Sequence, residues 1–297
     1  MEINQNELQL EIGEVEEVRS PFKEFLRKFK KQKTSLVAAG FVLLLVILAL
    51  IGPYIVPYDV TAEDYSNILK GPSWQHLFGT DTFGRDIFSR VIAGARISLF
   101  VGLSSVTVGA VFGSVLGLVS GYYGGILDSI IMRISDTLFA FPGIILAIGI
   151  IAILGPGLAN VIIAVAIFSM PMFARIVRSN TLALKNGVYI EAAENIGASD
   201  ARILFKHLLP GSFSNIIVYY TMTIGNSILT ASSLSFLGMG AKPPSPEWGA
   251  MLSGGRDYIG LSWHLTFFPG LAIFLTVLAF NMLGDGLRDA LDPKLEG

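Results

Sequence analysis

Cysteine is absent from this 297-residue chain, which excludes disulfide bonds and thiolate metal sites. Charge is also scarce, because only 15% of the residues are Asp, Glu, Lys or Arg, whereas 52% are hydrophobic. A water-soluble domain could not bury so much apolar surface. The composition therefore predicts an integral membrane protein.

Six apolar stretches are long enough to cross a membrane, because about 20 helical residues span the roughly 30 Å hydrocarbon core. They are residues 35–57, 97–119, 137–154, 158–177, 213–236 and 263–284. A tight Gly-Pro-Gly turn at 155–157 joins the third and fourth stretches and favours an antiparallel hairpin. The sequence therefore predicts an all-α, polytopic membrane protein with six transmembrane helices.

Charge is distributed unevenly along the chain. The first 18 residues hold six Glu and no cation, whereas residues 19–33 hold seven Lys or Arg among apolar residues at helical spacing. We expect a solvated tail and then a basic amphipathic helix, which either lies on the membrane surface or only fixes the orientation of the chain. With the N-terminus inside, the inner segments carry 15 Lys or Arg and the outer segments six. The positive-inside rule then places both termini in the cytoplasm.

These patterns divide the chain into four segments. Residues 1–33 are the cytoplasmic tail and basic helix, and residues 34–96 are the first transmembrane helix and an outer segment. Residues 97–284 form the main transmembrane domain, which contains a cytoplasmic loop at 178–212. Residues 285–297 form a cytoplasmic C-terminal tail.

The middles of the six stretches contain no Asp, Glu, Lys, Arg or His. A transporter driven by protons would normally carry a titratable group at that depth. The chain also lacks the GxxxxGK[ST] phosphate loop and contains no Gly-Lys dipeptide. These absences indicate a transporter that takes its energy from another polypeptide. The alternative is a secondary transporter that needs no such partner.

The sequence does not contain the residue patterns that hydrolytic catalysis requires. An intramembrane serine hydrolase needs a base within hydrogen-bond reach of its nucleophile, but His76, His207 and His264 all fall in predicted loops or at membrane edges. The sequence has no HExxH zinc motif. We therefore expect no catalytic residue and no metal site in this chain.

Glycine recurs at every fourth position of the second stretch, at Gly109, Gly113, Gly117 and Gly121. This GxxxG pattern lets two helix backbones approach closely in lipid, where the hydrophobic effect does not drive helix association. We interpret the four glycines as a helix-packing face.

Three residues are candidates for a gate or a transport pathway. Pro142 and Pro171 lie inside the third and fourth stretches, and Asn226 is one of the few polar residues in the fifth. Proline kinks a helix, and kinked helices around a cavity suit a gate. Proline is nevertheless common in membrane helices, so ordinary packing is the alternative.

A polar island at residues 175–211 separates the fourth and fifth stretches. We predict a short helix over residues 188–196 that ends at Gly197, because glycine permits the left-handed conformation of such an ending. A second helix begins at Ser199 or Asp200 and stops before Pro210.

The first of these two helices offers a contact surface with very little side chain. Ala192 and Ala193 would let a groove on a partner come close, and Glu191 supplies a charge at the rim. Physical reasoning alone leaves two interpretations open, which are a docking surface for a soluble partner and an ordinary solvated loop.

The spacing of six residues in the island resembles the EAA loop of ABC importer permeases. The matching residues are Glu191, Ala192, Ala193, Gly197, Leu209 and Pro210. His207 is a departure, because many such loops have isoleucine at that position. In that family the loop is the coupling helix, which seats in a cleft of the cytoplasmic ATPase subunit.

Other segments resemble the dipeptide/oligopeptide/nickel group of these permeases, and its C-type subunit in particular. These segments are residues 79–86, 89–99, 233–238, 243–252 and 284–293. Ala231 stands where that group often has glutamate. The region from the third to the fifth stretch is most similar to glutathione importer permeases.

The resemblance implies a type I ABC importer permease fold in the plasma (inner) membrane of a bacterium or archaeon. It implies that a second homologous permease completes the pathway, that two ATPase subunits dock at the loop, and that a solute-binding protein delivers the substrate. That substrate would be a short peptide, glutathione or a nickel chelate. ATP and Mg would bind to the partner ATPase, so this chain would contact lipid but bind no cofactor and no nucleic acid.

Overall fold

The computed structural model describes residues 21–291, and for Pro21 and Phe22 it describes only the backbone. The predicted acidic tail over residues 1–18 and the final residues 292–297 lie outside this range. Within it the all-α prediction is confirmed, since the secondary structure is helical apart from one isolated β-bridge, between Thr80 and Asp86.

Eleven α-helices make up most of the described residues. They are α1 (Pro21–Lys31), α2 (Lys33–Ile55), α3 (Ile87–Tyr123), α4 (Gly125–Phe139), α5 (Gly143–Leu154), α6 (Leu158–Leu184), α7 (Val188–Asn195), α8 (Asp200–Arg202), α9 (Leu209–Phe236), α10 (Trp248–Gly255) and α11 (His264–Leu291).

Four helices, α2, α3, α6 and α11, are long and apolar enough by length and composition to cross a membrane in the described part of the chain. The bent pair α4 and α5 adds a fifth crossing if it counts as one span. Helix α9 coincides with the fifth predicted stretch and is 28 residues long, but it is rich in Ser, Thr and Asn and is not among the apolar spans. The predicted count of six is therefore supported only roughly.

The third predicted stretch, residues 137–154, is not one straight helix. Its first residues belong to α4 and the rest to α5, and the two helices meet at 97°. Pro142 lies between the two helices, as the residue that precedes α5, so it marks a break between helices rather than a kink within one continuous helix. The break follows from proline chemistry, because Pro142 disfavours a helical conformation at the residue before it.

Helices α3 and α6 approach each other most closely at the four glycines of α3. A Cβ atom added to Gly113 would lie 2.4 Å from the carbonyl oxygen of Met170, and one added to Gly117 would lie 2.4 Å from that of Ala174. No side chain fits at such distances, so the backbones of the two helices pack directly against each other.

The two end glycines of the series contact α6 in the same way. The added Cβ would lie 2.1 Å from the Ser169 hydroxyl at Gly109 and 2.7 Å from the Thr181 Cβ at Gly121. The contact therefore extends over more than three turns of α3, and α3 and α6 form one block.

Apolar residues of other helices pack around this block. One buried cluster joins α5 to α3, α6 and α9, and includes Val101, Ala147, Val165 and Leu234. A second cluster, which contains Phe173, Ile228 and Phe280, joins α9 and α11 to the block. The long helices thus share a continuous apolar interior.

The outer segment between α2 and α3 is fixed by buried charges. Arg85 donates to Asp81 at 2.7 Å, and Arg90 donates to the carbonyl oxygens of Val60 and Pro244 at 2.5 and 3.3 Å. Both arginines are buried. They hold this segment together and tie it to the loop that precedes α10.

Glu247 is a buried carboxylate at the start of α10. It accepts hydrogen bonds from the backbone N–H groups of Gly249 and Ala250, at 3.0 and 2.8 Å, and so caps the helix. Burial raises the pKa of Glu247 above its ordinary value, and these hydrogen bonds oppose the rise.

The block predicts a sharp difference between two glycines. Gly113→Ala inserts a methyl group between two backbones, so we expect it to lower the free energy of unfolding by about 1–3 kcal/mol. Gly40→Ala is the matched control, since Gly40 lies in the apolar helix α2 with no atom near its missing Cβ. Thermal unfolding of the purified protein in detergent measures both, and equal shifts would contradict the close contact.

Candidate functional site: the polar loop after α6

The polar loop is the segment from Lys185 to Leu208 that connects α6 to α9. It begins later than the predicted boundary of 178, because α6 continues to Leu184 and carries Arg175 and Arg178 on helix rather than on loop. Helix α7 follows Gly187 and occupies the predicted first helix.

The end of α7 depends on Gly197, which has a φ of +80°. The amide of Gly197 donates to the carbonyl oxygen of Glu194 at 2.9 Å, and the amide of Ala198 donates to that of Ala193 at 3.0 Å. These bonds satisfy carbonyl groups at the end of the helix, and a residue with a Cβ would be strained at this φ.

The sequence predicted that the second helix of the loop ends before Pro210. In the structure this helix does not end there. Helix α8 continues into a π-helical turn, Ile203–Leu208, and this turn runs directly into α9. Pro210 lies in the first turn of α9.

The loop is anchored to the block by its own apolar residues. Ile190, Ile203 and Leu208 are fully buried and pack in one cluster with Leu118 of α3 and Val177 of α6. A force applied to this loop is therefore transmitted to both helices of the block.

The outward face of α7 combines small, charged and apolar residues. Glu191 and Ala192 are exposed, and the exposed fractions of Val188 and Ile196 are 82% and 86%. Phe205 adds a further exposed apolar side chain from the π-helical turn. Exposed apolar residues beside a fixed charge are typical of an interaction surface.

The six predicted coupling residues do not all face outward. Glu191, Ala192, Gly197 and Pro210 are exposed, but Leu209 is half-buried. Ala193 is buried as well, so it offers no surface to a partner. Ile196, just after α7, is exposed as well.

Two tyrosines at the end of α3 bind the loop, and no pattern in the sequence indicated this contact. The hydroxyl of Tyr123 donates to Asp200 at 3.0 Å, and that of Tyr122 donates to Asp200 at 3.2 Å and to Glu194 at 3.4 Å. The residues are more than 70 positions apart in sequence, so only the tertiary structure brings them together.

The candidate gate residues occupy different environments. Pro171 is buried inside α6, whereas Pro142 is exposed at the break between α4 and α5. Asn226 is exposed on α9. Among residues 21–291 no cluster of three or more His, Asp or Glu could hold a metal ion.

Comparison with known proteins gives two family matches. Residues 113–297 match the family described as binding-protein-dependent transport system inner membrane component. Residues 20–72 match the N-terminal transmembrane domain of oligopeptide transport permease C.

Individual relatives match over nearly the whole chain. The glutathione transport system permease protein GsiD of Pectobacterium atrosepticum is 58% identical over 280 residues, which cover 94% of this chain and 93% of that protein. The protein of the same name from Escherichia coli O6:K15:H31 is 59% identical over 283 residues, with 95% and 93% covered.

Solved structures agree at the level of fold. The MetNI methionine ABC transporter in an inward-facing conformation matches with a TM-score of 0.56 at 22% identity, covering 69% of this chain and 98% of that one. An amino acid ABC transporter matches with a TM-score of 0.52 at 16% identity, covering 68% and 94%. The chain therefore belongs to the family of binding-protein-dependent transport system inner membrane components, and it is a permease subunit of an ABC importer.

Proposed function

We propose that this chain forms half of the translocation pathway of an ATP-driven importer for short peptides, with glutathione as the first candidate substrate. The observation that carries the proposal is α7, a helix anchored by the buried Ile190, whose exposed face combines Glu191 with the apolar Val188 and Ile196. The relatives named as glutathione transport permeases support the substrate class. They do not favour a nickel chelate or a secondary transporter.

The proposed assembly contains four kinds of subunit. A second homologous permease completes the pathway, two cytoplasmic ATPases dock at α7, and a solute-binding protein delivers the peptide from outside. ATP and Mg bind to the ATPases, so this chain binds no cofactor. The description of the matched family, which names a binding protein and the inner membrane, supports this arrangement.

The proposed orientation places both termini and the polar loop in the cytoplasm. The excess of Lys and Arg in the inner segments supports it. In the same direction, α1 carries exposed Lys23, Arg27 and Lys30 next to the start of the first span, where an anionic inner leaflet would attract them.

Transport in this assembly is mechanical rather than chemical. Closure of the ATPases displaces α7, and the loop passes the displacement to the block through Ile190 and Ile203. We assign the gate to the helix break at Pro142 and to Pro171, and we place Asn226 on the pathway between the two permeases. This chain itself performs no covalent step.

The energy source separates this proposal from a secondary transporter. In proteoliposomes that contain the chain with its sister permease, ATPases and binding protein, we expect glutathione uptake to require ATP and to persist with an uncoupler. The chain alone should transport nothing down a proton gradient. Uptake by the chain alone, driven by that gradient, would overturn the proposal.

The docking surface is tested by charge reversal on α7. Glu191→Arg should weaken ATPase binding by about tenfold or more, because loss of an interface hot spot costs at least about 1–2 kcal/mol. Gly197→Asp should have a similar effect, because it strains the end of the helix and adds a charge. Co-purification of the ATPase with the membrane-inserted chain measures both.

Glu63→Arg is the matched control for these variants. Glu63 is an exposed glutamate of the outer segment, so its reversal should leave ATPase binding unchanged. Normal recovery of the ATPase with both loop variants would count against docking at α7.

A further inference from the structure

Helix α4, which precedes the break at Pro142, has few buried residues. Of its 15 residues only Ile131 and Ser135 are buried. Ile126, Ile130 and Ile134 remain exposed. An element with so few buried contacts has little local stability of its own. Specific polar contacts therefore contribute strongly to its position.

Both ends of α4 are built to bend. Gly124 and Gly125 precede it with φ values of +65° and +58°, and neither has an atom near its missing Cβ. Pro142 follows it at the 97° break. Glycine adopts such backbone conformations without strain and can also leave them, so α4 can swing relative to α3.

One ion pair holds α4 against α6. The guanidinium of Arg178 donates to Asp128 through Nε at 2.5 Å and through Nη2 at 2.6 Å, and the hydroxyl of Ser120 donates to the same carboxylate. The side chains of Asp128 and Arg178 are only 19% and 30% exposed. A bidentate, partly buried pair of this kind is both strong and specific in geometry.

A second pair joins the same helices but has little weight. Asp136 accepts from Arg175 at 2.8 Å, yet the two side chains are 63% and 50% exposed. Exposed pairs contribute little, because water screens them and ordering the side chains costs entropy. Asp128 and Arg178 are therefore the main polar connection between α4 and the block.

The ion pair between Asp128 and Arg178 lies next to the polar loop. Arg178 is on the helix that leads into the loop, and Tyr122 and Tyr123 bind Asp200 of the loop immediately before the glycine hinge. The loop thus contacts the α3–α6 block on one side of the hinge, and Asp128 secures α4 to the same block on the other side.

We propose that Asp128 and Arg178 are positioning residues for transport. They keep α4 fixed to the α3–α6 block, so that movement of the polar loop reaches the bent pair α4 and α5. Without this pair the hinge at Gly124 and Gly125 absorbs the movement. ATP hydrolysis then continues, but α4 no longer moves together with the α3–α6 block. The inference rests on the proposed function, since it takes the loop as the point where the ATPase acts.

The first experiment measures peptide uptake per ATP hydrolysed in the reconstituted complex. Asp128→Asn keeps the size of the side chain and its bond with Ser120 but removes the charge. We expect uptake per ATP to fall by about fivefold or more, while ATPase binding and hydrolysis persist. The double variant Asp128→Arg with Arg178→Asp restores the pair in reverse and should recover most of the ratio.

Asp257→Asn is the matched control, because Asp257 forms an exposed pair with Arg256 at 3.2 Å far from α4 in sequence. It should leave the ratio unchanged. Wild-type coupling in Asp128→Asn overturns the inference, and so does a reversed pair that folds but recovers nothing.

A second measurement uses the absence of cysteine from the chain. Nitroxide labels on cysteines at the exposed positions Ser129 of α4 and Ser179 of α6 report the distance between the two helices, with cysteine-free partner subunits. We expect a narrow distance distribution that is the same with and without nucleotide. A distribution that shifts with nucleotide in the otherwise unchanged chain overturns the inference, even if Asp128→Asn fails to fold.

The two proposals fail in different ways. If no ATPase binds the unaltered chain, the proposed function fails. If the ATPase binds and the complex transports, but loss of the Asp128 charge has no effect, only the positioning role fails.

Discussion

The direct backbone contact between α3 and α6 is the constraint on which the other features depend. Lipid supplies no hydrophobic drive for two helices to associate, so stability must come from close packing. Gly109, Gly113, Gly117 and Gly121 provide it, because each leaves room for a backbone or short side chain of α6. The result is a rigid pair of helices that carries the polar loop at one end.

The attachment of the polar loop to this pair of helices matters for its proposed role. A loop that hung freely would absorb any displacement within itself. Here Ile190, Ile203 and Leu208 are buried in one cluster with Leu118 of α3 and Val177 of α6, so apolar packing anchors the loop to the block. The outward residues of α7 remain exposed, and they form the docking surface proposed for the ATPase.

Rigidity next to a hinge defines what the α4 helix can do. The α3–α6 block is stiff because its contacts are numerous and close, whereas α4 is attached by two buried side chains and a partly buried ion pair. In the proposed mechanism, movement reaches the broken span through that attachment. The described residues thus combine a closely packed pair of helices with a helix that has few buried residues.

The sequence by itself determined the membrane class, the approximate places of the apolar helices, the glycine face and the family, because hydropathy, residue spacing and the motif at Glu191 are local properties. Tertiary structure decided the remainder. Hydropathy reports how apolar residues 137–154 are but not whether they form one straight helix, so the 97° break was missed. The direction of Ala193 and the partners of Asp128 and Asp200 depend on contacts between residues far apart in the chain, and only packing in three dimensions specifies such contacts.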